Sequence, residues 1–152
     1  MTRPVQLLQL QLYNTRSATA SMNYRRGRHS VTMLYTHLVF VTKYRRKVFN
    51  ANHIEAMKEV CEGVAKQMDF KLVELNGEQD HVHLLIEYPP KLSISQLVNS
   101  LKGVSSRMLR KEFPELKPHQ DHLWSPSYFA ISCGGAPIEK IKEYIENQEK
   151  SP

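Results

Sequence analysis

The chain has 152 residues, 41% of them hydrophobic, which suits one compact domain of ordinary size. No run approaches the roughly 18 consecutive apolar residues needed to cross a bilayer, which makes a soluble protein the default expectation. The formal net charge of +6 is uneven: nine of the 21 Lys and Arg fall between Met1 and Ile54, where there is no Asp or Glu, leaving 12 basic against 15 acidic residues beyond. A one-ended basic surface favours a polyanionic partner, and nucleic acid first, because backbone phosphates supply the dominant attraction.

Residues 1–21 differ in character from the rest. Glutamines interrupt the apolar run Val5 to Leu12 and so spoil it as a signal-peptide core. These residues are expected to form a poorly ordered extension. The organised sequence begins at Met22, itself a candidate natural start, and a single domain is expected over 22–150. Cys61 and Cys133 have no metal-ligand spacing and read as free thiols of a reducing cytoplasm.

Met33 to Thr42 is rich in β-branched and aromatic residues and predicts a strand, running into the basic cluster Lys43-Tyr44-Arg45-Arg46-Lys47. A helix over about Asn52 to Met68 follows, because Ile54, Met57, Cys61, Val64 and Met68 recur every three or four residues. Phe70 to Leu75 and Asp80 to Glu87 predict two strands of a hairpin, turned at Asn76-Gly77 through a loop of about five residues. Ser93 starts a second helix, with Gln96 at capping-box spacing and Ile94, Leu97, Val98, Leu101, Val104 and Met108 as its apolar face. Leu123 to Ser132 predicts a fourth strand, which Pro126 assigns to an edge or a bulge. After Gly134-Gly135, a last helix is expected from Pro137 to about Lys150. The order β-α-β-β-α-β-α matches, in its first six elements, an α+β ferredoxin-like split βαβ fold: an antiparallel sheet of about four strands with helices on one face.

Two groups of residues can carry chemistry. Side chains alternate along a strand, so His81 and His83 point the same way and can bind one metal ion, while Val82 points into the core. Such pairs are more often surface or hydrogen-bonded residues. The other five histidines, His29, His37, His53, His119 and His122, show no comparable spacing and read as structural. On the last helix Ile138, Ile141 and Ile145 form the apolar stripe, and Tyr144 and Gln148 share its flank one turn apart. A lone helical tyrosine more often packs its ring and exposes its hydroxyl.

Longer strings narrow the choice. They are HLVFVTKYRRKVF from His37, DHVHLLIE from Asp80, LKGVSSRMLRKEFP from Leu101 and LWSPSYFAISCGGAPIEKIKEYIENQ from Leu123. From Met22 to Gln148 the chain resembles the TnpA-type single-tyrosine transposases of the HUH endonuclease superfamily, named for two histidines around a hydrophobic residue.

The resemblance implies His81, His83 and Gln148 as ligands of a divalent ion, Mg2+ or Mn2+, and Tyr144 as the nucleophile. It implies cleavage and rejoining of single-stranded DNA through a 5′-phosphotyrosine, with recognition of hairpins at insertion-sequence ends. It also implies a homodimer in which the tyrosine helix of one subunit can complete the site of the other, Gly134-Gly135 serving as the joint. Residues expected to contact DNA are Arg25, Arg26, Arg28, Lys43, Arg45, Arg46, Lys102, Arg107 and Arg110, with Tyr44 stacking on a base. The competing readings are a repeat-associated nickase of the same superfamily and a non-enzymatic single-strand-binding module on a ferredoxin-like sheet.

Overall fold

The computed structural model describes residues 24–117 and 122–132. Residues 1–21, Gly134-Gly135 and the expected last helix with Tyr144 and Gln148 lie outside the described residues. The chain divides into two compact units. One holds a short antiparallel ribbon that the sequence pattern does not foretell, β1 (Arg25–Arg26) paired with β2 (Val31–Thr32) and closed by Gly27 N–H donating to the Ser30 carbonyl at 2.7 Å.

The second unit, Tyr35–Ser132, holds the main sheet. Its elements are β3 (Tyr35–Val41), a 3-10 turn (Lys43–Arg45), α1 (Ala51–Met68), β4 (Lys71–Gly77), β5 (His81–Glu87), α2 (Ile94–Glu112), a second 3-10 turn (Pro114–Leu116) and β6 (Phe129–Ser132). The strands lie in the order β4-β5-β3-β6, every neighbouring pair antiparallel, with β4 and β6 as edges. This is the expected ferredoxin-like α+β arrangement.

The helices pack on the sheet face formed by Leu38, Phe40, Leu75, Val82, Leu84 and Ile86, joined there by Met57, Cys61, Val64, Leu97 and Leu101. Each fully buried side chain of this size contributes about 1.5–3 kcal/mol, so this layer dominates the stability. Cys61 behaves as a small core residue, its thiol pushed up to about 12 by burial and then by the neighbouring Glu62 charge.

Both helices begin on reciprocal caps. Ser93 and Gln96 form the expected box on α2. On α1, His53 takes the place usual for Glu: Asn50 Oδ1 accepts from His53 N–H at 3.0 Å, and His53 Nδ1 accepts from Asn50 N–H at 2.9 Å. The opposite ring nitrogen then donates to Glu115 at 2.8 Å, tying the start of α1 to the turn after α2.

Several boundaries differ from expectation. The hairpin turns at Glu78–Asp80, because Asn76 and Gly77 remain in β4, paired with His83 and Val82. Gly77 is required by close approach: a Cβ there would lie 2.7 Å from Ile54 Cδ1 and 2.9 Å from Val82 Cγ1. The fourth strand is shorter than Leu123–Ser132. Trp124 forms only an isolated bridge to Thr42, and regular pairing resumes at Phe129, after Pro126 has removed a ladder donor. On α2 the buried stripe continues through Ser105 and Leu109 rather than Val104 and Met108. Trp124 explains this: its indole N–H donates to Ser105 Oγ at 3.0 Å, which satisfies both groups within the core.

A histidine face and a basic cleft

The sheet face away from the helices carries His81 and His83. Strand alternation sends their neighbours Val82 and Leu84 into the core, both 0% exposed, so the two imidazoles share the other side. Their ring centroids lie 4.9 Å apart with the planes nearly perpendicular, at 84°. On the adjacent strand β3, His37 stacks on His83 at 5.4 Å and 13°. The cross-strand register produces this: His83 sits opposite Val39, which makes His37 its diagonal neighbour. Nothing in the spacing of His37 singles it out; only the pairing of β3 with β5 brings it here.

Protonation at this face is set by burial and by one carboxylate. Desolvation first, then the neighbouring His37 and His81, lower the His83 pKa to about 3. Burial lowers that of His37 to about 4. His83 is therefore neutral at physiological pH, the form that ligates metals. Asp80, immediately before β5, places Oδ1 at 2.8 Å from His81 Nδ1, while its Oδ2 accepts from Arg45 Nε at 3.0 Å. Burial alone would raise the Asp80 carboxyl, but the hydrogen bonds from His81 and Arg45 and the Arg45 charge hold it below its usual value. Among the described residues, both ring nitrogens of His83 and Nε2 of His81 are buried without a hydrogen-bond partner.

Orphaned buried nitrogens carry a desolvation penalty that a bound cation would remove, so these residues fit a divalent ion. Among the described residues no group of three or more His, Cys, Asp or Glu is arranged to hold a metal.

Acid should unfold the metal-free protein early. Both His37 and His83 have folded pKa values below their ordinary 6.5. Above that value they are neutral in both states and their full contribution is present. As pH falls from about 6.5 towards about 4, the unfolded chain binds protons that the folded chain refuses, at up to about 1.4 kcal/mol per pH unit for each histidine. Melting curves between pH 7 and 4.5 should show a steadily falling midpoint; a flat midpoint would contradict this burial.

The basic residues separate into groups. Lys43, Lys102, Arg107 and Arg110 line an open cleft of about 650 Å³ with His122, Trp124 and Pro126. Lys102 is partly committed, its ammonium donating to the carbonyls of Ser125 and Ser127. Tyr44 and Arg45 adopt left-handed backbone conformations, with φ of 61° and 55°. That strain, of order 1–3 kcal/mol per residue, presents Tyr44 outward, 69% exposed, and folds Arg45 back onto Asp80. The Lys43 ammonium and the Arg46 guanidinium lie 5.3 and 4.9 Å from the Tyr44 ring centre. Thr42 anchors the turn: its N–H donates to the Asp80 carbonyl at 2.9 Å, and its hydroxyl faces the carbonyls of Arg46 and Asp80 at 2.8 and 3.2 Å. Arg25 and Arg26 lie on β1 and Arg28 in the turn after it, in the other unit.

Comparison with known proteins agrees with this fold and these motifs. The family model described as "Transposase IS200 like" matches residues 30–148, and the chain belongs to that family. It is 32% identical over 126 residues to the ISDra2 transposase TnpA of Deinococcus radiodurans, covering 82% of this chain and 90% of that one. It is 33% identical over 114 residues to the transposase of insertion sequence element IS200 from Salmonella typhimurium, covering 74% of each.

Among solved structures, a candidate transposase from Deinococcus radiodurans superposes with a TM-score of 0.68 at 37% identity, covering 82% of this chain and 97% of that one. A REP-associated tyrosine transposase bound to a REP hairpin shares the fold, with a TM-score of 0.55 at 10% identity over 80% of this chain and 68% of that one. The protein is thus a transposase, a DNA-processing enzyme of insertion sequences. Among the described residues no helix is long and apolar enough to cross a membrane.

Proposed function

We propose that this transposase binds hairpins at the ends of an insertion sequence, and cuts and rejoins single-stranded DNA through Tyr144. The observation that carries the reading is the pair of imidazoles on β5: His81 Nε2 and both ring nitrogens of His83 are buried without a hydrogen-bond partner among the described residues. Together with Gln148, His81 and His83 would hold Mg2+ or Mn2+. When bound, such an ion polarises a nonbridging phosphate oxygen and stabilises developing charge.

The chain's own residues do the rest. A free tyrosine has a pKa of about 10, so about 0.1% is phenolate at neutral pH, and its attack depends on positioning. Tyr144 gives up its phenolic proton as its oxygen bonds to phosphorus, the phosphorus–O3′ bond breaks, and the 3′-oxygen takes up a proton and leaves as a hydroxyl. The phosphotyrosine conserves a reactive ester. A 3′-hydroxyl of another strand then attacks it, loses its proton, and returns tyrosine while sealing the DNA. No nucleotide cofactor is consumed.

The basic cleft and the exposed Tyr44 supply phosphate contacts and a stacking surface suited to hairpin DNA. A homodimer and a single catalytic domain over 22–150 complete the proposal.

The test is incubation with single-stranded element ends and Mn2+, followed by a denaturing gel. A protein–DNA adduct is expected. Cleavage products carrying free 5′-phosphates, with no adduct at any time, would overturn the tyrosine mechanism.

A further inference from the structure

We propose that Asp80 is a positioning residue for the metal centre: it holds His81 in the Nδ1–H tautomer so that Nε2 keeps its lone pair for the ion, and Arg45 holds Asp80 in turn. This rests on the reading of His81 and His83 as ligands.

Three observations carry it. The Asp80 carboxylate meets His81 Nδ1 at 2.8 Å, and an acceptor-only group there makes that nitrogen the donor. His81 Nε2 is buried with no hydrogen-bond partner among the described residues, so nothing described competes for the lone pair. The second carboxylate oxygen is occupied by Arg45 Nε at 3.0 Å, which fixes the carboxylate plane against rotation. The side chains of Asp80 and His81 are 13% and 12% exposed, so solvent screens their contact little.

The placement of Arg45 depends on its left-handed backbone and on Thr42. The same turn that exposes Tyr44 therefore spends its next residue on the carboxylate. A purely structural role for the Asp80 side chain is separable from this one. Its backbone carbonyl, not its carboxylate, accepts from Thr42 and ties β3 to β5. Removing the carboxylate leaves that tie intact.

Metal-ligating histidines whose second nitrogen loses its orienting carboxylate typically lose about 10–100-fold in metal affinity. Asp80→Ala should weaken Mn2+ binding to the metal-free full chain by that factor. Asp80→Asn, which keeps an acceptor oxygen without the charge, should fall between it and the unmodified protein. Arg45→Ala should cost only a few-fold, because that residue is half-exposed and the pair is screened.

Free Mn2+ is counted by electron paramagnetic resonance, and the His81 tautomer is read from long-range 1H–15N correlations in the metal-free protein. The unmodified protein should show Nδ1–H at His81, and Asp80→Ala should shift it towards Nε2–H. Asp80→Ala binding Mn2+ as tightly as the unmodified protein, or Nε2–H at His81 in the unmodified protein, would overturn the inference. If His81→Ala binds Mn2+ undiminished, the ligand assignment itself is wrong, and the tautomer spectra still decide what Asp80 does. Should Asp80→Ala fail to fold, Asp80→Asn supplies both readouts.

Discussion

Replacing His83 by leucine should lower Mn2+-dependent cleavage of single-stranded DNA by about a thousandfold or more while making the metal-free protein more stable. The first effect follows from the charge stabilisation lost with the ion, several kcal/mol of the barrier. The second follows from the burial of His83. The residue is 3% exposed, and neither ring nitrogen has a hydrogen-bond partner among the described residues. A buried polar group left unsatisfied costs about 1–3 kcal/mol, and an apolar side chain of similar size removes that cost. Denaturant midpoints of metal-free protein give the stability change, and single-turnover cleavage gives the rate. A leucine variant that is both less stable and still active would mean that His83 is an ordinary packed residue. Opposite signs on the two measurements are the signature of a residue retained for chemistry at the expense of stability.

Tyr144→Phe should abolish covalent attachment to DNA, a loss on the order of 10⁴-fold or more in strand cleavage, with hairpin binding unchanged. The phenyl ring keeps whatever packing the tyrosine has and loses only the oxygen proposed as the nucleophile. In the proposal, binding rests on phosphate contacts and stacking spread over many groups, among them Lys43, Tyr44, Arg107 and Arg110, which line or flank the basic cleft. A filter or gel-shift assay in the absence of cleavage separates the two properties. Residual adduct at the unmodified rate would assign the nucleophile elsewhere.

The order of elements from β3 to β6 was legible because both signals were strong. Periodic Met57, Cys61 and Val64 gave one helix, and Ser93 with Gln96 marked the start of the other. The equivalence of His81 and His83 followed from strand alternation alone. What was not legible depended on tertiary pairing.

His37 joins the histidines only because β3 lies beside β5, a pairing of distant segments that local spacing does not encode. Asp80 was visible as the residue before the pair, but nothing local in the sequence shows that its carboxylate bridges His81 Nδ1 and an Arg45 folded back by a left-handed turn. The hairpin was misplaced because Asn-Gly is a strong turn signal; here the packing of Ile54 and Val82 against Gly77 kept both residues in the strand. The α2 stripe drifted to Ser105 because Trp124 offers its indole N–H there, a polar contact that hydrophobic periodicity does not report.

Mass spectrometry of the nucleotide-linked peptide, from reactions run with Mn2+ and with chelator, bears most directly on the tyrosine and its histidine-held ion. A 5′-phosphonucleotide is expected on Tyr144 with Mn2+ present, and none with chelator or in His81→Ala. The same modification at full yield without metal, or its appearance on any other residue, would contradict the mechanism.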